Sequence, residues 1–309
     1  MPTFVAYSQS SRKMHNSNMQ FHYGFVSSLY LKGLKTPCNF KKQFIIYSYE
    51  DNYPRKKEVE SFLRDNYSTL GYSHILITRT RNPYTLAGDF VIPSRTNFQR
   101  FLSFLRVISP NNSFLKFEAF HAGREFQSST RYDSEDIPHF LSITKDKEVP
   151  ETDLKLISEI MNSIARLKPQ QEHRINNFYS YLEQSIRGPI VHRIIWLFIA
   201  LESLFHLERE RDNFTEKFCK RVAFTLEPSN KVEGVKFYNA LYRAGKLRGA
   251  LVHGALVDYK NIQRELIKLE PNLWRIGRLL ILDRKLLKLF SSLDSNLEKY
   301  FKRLDAIVI

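Results

Sequence analysis

The chain is short of glycine, cysteine and acidic side chains. Eleven glycines stand against 24 phenylalanines and 16 tyrosines in 309 residues, which predicts a well-filled interior with few special turns. No glycine-rich phosphate loop of the Walker A type and no dinucleotide fingerprint occurs, so the chain shows none of the usual nucleotide-handling motifs. The only cysteines are Cys38 and Cys219, and they form no CxxC pair. That argues against a cysteine zinc site and against a disulfide framework. Two thiols and no recognisable signal peptide fit a reducing cytoplasm. Long apolar runs are missing too. The longest, Ile194 to Leu201, has eight residues between Arg193 and Glu202. A bilayer span needs about 20, so this run reads as a buried helix segment.

The acidic deficit is large: 47 Lys+Arg against 32 Asp+Glu give a net charge of +15. Residues 1–150 carry 20 basic and 13 acidic side chains, and residues 151–309 carry 27 and 19, so the halves stand at +7 and +8. The excess is therefore not a tail. It favours a polyanionic partner, because each Lys or Arg set on a phosphate releases counterions. A solvated basic surface is the plain alternative. Hydrophobic residues at 43% suffice for a packed core.

The first half reads as mixed and β-containing. Residues Ser8 to Gln20 are polar and irregular, and Phe21 to Phe25 are aromatic. Phe40 to Tyr49, Tyr72 to Thr80, Asp89 to Ile92 and Ser113 to Phe120 carry strand composition, with Pro93 stopping the third. Asn97 to Ile108 spaces Phe98, Phe101, Leu102, Leu105 and Ile108 as one helical face. The charged stretch Thr144 to Pro150 has no apolar periodicity and is the expected linker. It divides an α+β chain into a mixed domain over 1–145 and an all-α domain over 151–309. The second domain is expected to hold helices near 153–167, 171–187, 189–206, 213–226 and 232–253. A last helical region follows over 272–304, with a break. The stripe Ile190, Ile194, Leu197, Leu201, Leu204 is core, and Trp196 and Trp274 are packing residues.

Basic and histidine side chains suggest phosphate chemistry. Arginine followed by histidine after four to six residues occurs three times, as Arg166 with His173, Arg187 with His192, and Arg248 with His253. Random placement of 24 arginines and nine histidines gives about two such pairs, so spacing alone selects none of them. Pro169 and Pro189 break the first two pairs onto separate elements. Arg248 and His253 share one expected helix, about 140° apart around it, and Gly254 lets the chain leave that helix. Glu202, in a helix apolar nearly all round, is expected to be partly buried and to have a cationic partner. It is either an ordinary structural ion pair or a group that orients Arg248 or His253. His206 reads as a packed histidine. Arg243 and Lys246 flank the motif and suit phosphate contacts or a solvated face.

Two segments together resemble the HEPN superfamily, in its ApeA-like branch: Ala200-Leu201-Glu202-Ser203-Leu204-Phe205, and Tyr242 to Gly254 with its Arg-x4-His-Gly pattern. The resemblance covers about residues 150–305. It implies a helical bundle that often dimerises and a metal-independent endoribonuclease, often a toxin or an antiphage defence protein, needing no cofactor. On that reading Arg248 holds the scissile phosphate and His253 moves the proton. Glu202 supports them, and Arg243 and Lys246 bind RNA. An inhibitor or trigger protein is expected, since a free ribonuclease harms its host. The residue after the motif arginine is commonly polar in the superfamily; here it is Gly249. Basic and aromatic residues interleave at Lys41 to Phe44 and Arg79 to Tyr84, a pattern that can serve single-stranded RNA. A non-catalytic RNA-binding or dimerisation module is the competing expectation.

Overall fold

The computed structural model describes residues 20–27, 31–32, 36–40, 44–66, 74–80, 87–109, 114–122, 125–131, 149–164, 169–207, 214–292 and 294–309. The fold is α+β, as expected. Among the described residues its sheet has six strands: β1 (Gln20–Ser27), β3 (Cys38–Phe40), β4 (Phe44–Ser48), β5 (His74–Thr80), β6 (Phe114–Ala122) and β7 (Glu125–Arg131). They lie in the order β3-β4-β5-β1-β6-β7. Every neighbouring pair is antiparallel. A separate two-residue strand, β2 (Leu31–Lys32), pairs in parallel with β8 (Val149–Pro150).

Period-two alternation explains how the sheet is covered. Phe21, Tyr23 and Phe25 of β1, with Tyr47, Ile75 and Ile77, share a core with Val59 and Leu63 of α1 (Lys56–Asn66). The opposite face offers Phe44, Ile46 and Leu76 to Phe98 and Phe101 of α2 (Ala87–Ile108). There Phe44 meets both phenylalanine rings edge-on. Asp89–Ile92, expected as a strand, is instead part of α2. Four apolar-rich residues cannot distinguish strand from buried helix, and the long periodic stretch behind them decides the outcome.

α2 also packs against the helical half, on α3 (Glu151–Ile164), α4 (Pro169–Gln184) and α8 (Tyr259–Leu282). One hydrophobic core consequently runs from Phe40 through Phe104 and Val149 to Leu304. The expected division near residues 145–151 is thus a change in secondary structure and not a gap in the core. Residues 144–148 of the expected linker lie outside the described residues. Arg106 of α2, wholly buried, donates to Glu183 of α4, which also accepts from Arg187 at 2.7 Å and from Ser103 at 3.3 Å.

The remaining helices are α5 (Ile190–Phe205), α6 (Phe214–Leu226), α7 (Lys231–Val252), α9 (Arg284–Phe290) and α10 (Asp294–Asp305). α5 is the central one and packs on α4, α6, α7 and α8. Its stripe Ile190, Ile194, Leu197, Leu201 and Leu204 is buried as expected. Trp274 is buried as well, and Trp196 stacks on Tyr181. The last helical region begins at Tyr259 and not at residue 272, with Pro271 inside α8 on its exposed side.

Candidate functional site

The site candidates gather where α5 ends against the last turns of α7. Ala200, Leu201, Leu204 and Phe205 are buried and anchor the end of α5, which leaves Glu202 turned partly outward toward α7. Arg248 meets it there, with Nη2 3.4 Å from Oε1; the two side chains are 31% and 24% exposed. The structure therefore joins the two sequence segments that carry the family resemblance. The pair is under-satisfied. Arg248 Nε is buried and has no hydrogen-bond acceptor, a situation that costs roughly 1–3 kcal/mol when nothing relieves it. Burial pushes the Glu202 carboxyl above its ordinary value, and Arg248 and His206 offset that only in part. His206 is the C-cap of α5 and is half-buried; its carbonyl accepts from Arg174 at 2.9 Å.

His253 is the C-cap of α7 and is exposed. The helix stops there for a local reason. Gly254 takes φ +78°, and two backbone bonds close the end: Gly254 N–H to Leu251 O at 3.1 Å and Ala255 N–H to Ala250 O at 2.9 Å. This is the Schellman arrangement, which needs a left-handed residue at the position glycine fills. The expected helix stop at Gly254 is where the structure puts it. His253 lies five residues beyond Arg248, about 140° around the helix and roughly 7.5 Å along it. Arg248 faces α5 while His253 faces solvent, so the two do not share one face of a single chain.

Lys246 lies close to the His253 side of α7, seven residues earlier, with Nζ 4.8 Å above the Tyr242 ring. Tyr242 stacks in turn on Tyr238. Gly249 lies between Lys246 and His253, and a Cβ there would meet nothing within 4 Å. Arg243 turns toward α8, its Nε 3.8 Å from Oε2 of buried Glu265. Beside His253 the surface is apolar: Val252 is 52% exposed, Tyr259 56%, and Leu256 fully.

Of the two other arginine–histidine pairs, only Arg187 with His192 lies wholly among the described residues, and the structure gives it no shared site. Arg187 is bound to Glu183, His192 is exposed on α5, His173 sits within 3.4 Å of Asn177 on α4, and Arg166 lies outside the described residues. The basic–aromatic stretches of the first half fall largely outside the described residues, and Phe44 is buried. Sequence reading overlooked the basic row Lys260, Arg264, Lys268 on α8, although its spacing of four is legible once residues 259–271 are taken as helix. Among the described residues no group of three His, Cys, Asp or Glu side chains is placed to hold a metal ion. Nor is any described helix long and apolar enough to cross a membrane. Comparison with known proteins finds no matching family model, no similar curated protein and no similar solved structure.

Proposed function

We propose that the chain is a HEPN-type endoribonuclease acting through Arg248 and His253, of the toxin-like or antiphage class. One observation carries this. Glu202 holds Arg248 at the end of α5 by a single contact, leaving a buried Nε–H with no acceptor, five residues before an exposed histidine. A guanidinium with an unanswered donor suits a phosphate, whose oxygens accept forked hydrogen bonds.

The chemistry needs only groups that RNA and this chain supply. A histidine takes the proton of the ribose 2′-hydroxyl, O2′ attacks the adjacent phosphorus, and the bond from phosphorus to O5′ breaks. The departing oxygen receives a proton from a protonated histidine. The products are a 2′,3′-cyclic phosphate and a 5′-hydroxyl. Arg248 stabilises the charge that accumulates on the non-bridging oxygens, and Glu202 is a positioning residue. Because Arg248 and His253 diverge around α7, the reading calls for a second copy of the chain to bring a histidine to the first copy's arginine. The exposed apolar residues Val252 and Leu256, close in sequence to His253, suit such a homodimer. The sheet half then selects the RNA or receives the signal of an inhibitor or trigger.

A second reading rests on the same divergence. If no copy pairs across the site, Arg248 and Glu202 are a structural link and the domain is a binding module. Incubation with total RNA in EDTA separates the two. Cleavage leaving cyclic-phosphate ends, lost in both His253→Ala and Arg248→Ala, is the expected result. Cleavage that persists in His253→Ala removes this assignment. No cleavage by the wild-type protein, even with the dimer present, favours the binding module.

A further inference from the structure

We propose that the outer face of α8 from Tyr259 to Lys268 is a docking track for single-stranded RNA, leading toward the turn that carries His253. The proposal names a substrate-binding surface for the activity inferred above and rests on that reading for its role. The track itself is built from different residues.

Its centre is one buried acid among three cations. Glu265 is 4% exposed, yet Lys268 Nζ lies 2.9 Å from its Oε1, Arg264 Nε 3.8 Å from the same oxygen, and Arg243 Nε 3.8 Å from Oε2. Only Lys268 is within hydrogen-bond distance, and Oε2 has no hydrogen-bond partner. Three positive charges against one negative leave this cluster at +2. The carboxylate thus fixes the cations in place without neutralising them, and each keeps donors in solvent. Lys260, one turn earlier on α8 and exposed, extends the positive row.

Shape and polarity favour a single strand. Lys260, Arg264, Ile267 and Lys268 border an open depression of about 340 Å³. Ile267 and Tyr259 are exposed and lie eight residues apart on α8. One unpaired base can rest on the tyrosine ring and another, about 12 Å further along the helix, on the isoleucine, while the phosphates between them meet the cations. A duplex turns its bases inward and has no use for these two side chains. An anionic membrane would also attract the cations, but the apolar stripe of α8 (Ile262, Leu266, Leu269, Leu273) is already buried in the protein core. Tyr259 and Ile267, which stay exposed, are two separated side chains and not the continuous apolar face that bilayer insertion needs.

The test measures binding without cleavage. A short fluorescent oligouridine with 2′-O-methyl sugars is titrated into the full chain, and anisotropy is followed across a salt series. Lys260→Gln/Arg264→Gln/Lys268→Gln should bind at least about tenfold more weakly. Its slope of log affinity against log salt should be shallower by about 2, at about 0.7 per lost phosphate contact. Lys268 is the hydrogen-bond donor to Glu265, so the double variant Lys260→Gln/Arg264→Gln guards against misfolding; its slope should fall by about 1.4. Tyr259→Ser should cost about fivefold or more in affinity and leave the slope alone. Lys288→Gln/Lys299→Gln/Lys302→Gln removes the same charge from α9 and α10 and should bind almost as the wild type does.

Wild-type affinity and slope in the α8 variants would overturn the track, as would an equal loss in the α9 and α10 control. Binding to vesicles rich in anionic lipid but not to the oligonucleotide would overturn it in favour of a membrane. The two proposals fail separately. Binding that maps to α8 without cleavage of RNA leaves the track and removes the ribonuclease. Cleavage that needs His253 but ignores the α8 variants, with binding unchanged, does the reverse.

Discussion

Two arginine–carboxylate contacts in this protein use the same chemistry with opposite electrostatic outcomes. In the core, Glu183 of α4 accepts from Arg106, Arg187 and Ser103. Burial alone would raise its pKa, but two guanidiniums outweigh that and hold the carboxyl below the usual range. At the end of α5, Glu202 has one arginine at 3.4 Å, and burial wins, so its pKa rises. What differs is how many charged donors answer each oxygen, not how apolar the surroundings are. The first contact fastens α2, and with it the sheet, to the helical half. The second holds an arginine that is still short of an acceptor. The first is sealed in the core, at 0% and 6% exposure, and belongs to the fold; the second is open to solvent at 31% and 24%, so only there can a ligand anion reach the guanidinium.

The strongest way to break this contrast is Glu183→Gln. It removes the carboxylate that Arg106 and Arg187 share in a buried site, a change that costs about 3–5 kcal/mol of stability. Equilibrium urea unfolding should show that loss. The pH dependence has a definite sign. A carboxyl with a depressed folded pKa contributes stability above the ordinary carboxylate range near 4.5. That contribution disappears as pH falls through the folded value. The gap between wild type and variant should therefore be widest near neutral pH and close in acid. A loss near zero at neutral pH would mean that α2 is held by apolar packing alone.

Which of these contacts could be read from sequence follows from locality. Glu202 stood out because a charged residue in the apolar run of α5 has few places to go, and its partner lies in a helix whose end Gly254 marks. The Arg106–Glu183 contact was invisible, since it joins residues 77 positions apart that carry no pattern of their own. The sheet shows the same limit. Ile75 and Ile77 signalled β5 by alternation. β1 is central and covered on both faces, with Phe21, His22, Tyr23 and Phe25 all buried, so it read only as an aromatic stretch. Pro271 hid the first half of α8. An exposed proline inside a helix costs one backbone bond, and the buried Ile262, Leu266, Leu269 and Leu273 outweigh it.

A smaller effect sharpens the comparison on the ligand side. Gly249 has ordinary helical backbone and open space where a side chain would be. Nothing within the chain needs a glycine there, and alanine should raise stability by about 0.5–1 kcal/mol. If Gly249 is merely a weak helix former, Gly249→Ala melts higher and cleaves RNA as well as the wild type does. Higher stability with lost cleavage or lost binding would show that RNA or a second copy comes close to the backbone between Lys246 and His253.

The smallest stability effect is expected at Glu202, and there it is the most telling. Because burial raises the folded pKa above the ordinary carboxylate value, the folded state favours the neutral acid. Stability associated with this group is therefore greatest below the ordinary value and declines as pH rises through the raised one. Glu202→Gln mimics the neutral form, so at pH 7 it should melt within about 1 kcal/mol of the wild type or slightly above it, the lost half-exposed pair being worth little. Arg248 loses its anchor all the same. If Glu202 positions Arg248 for phosphate, cleavage should fall several-fold through kcat, and its acid limb, where Glu202 titrates in the wild type, should flatten. A large drop in stability would instead place Glu202 with Glu183 as part of the frame. Unchanged stability with an unchanged pH profile would leave Arg248 positioned by α7 alone.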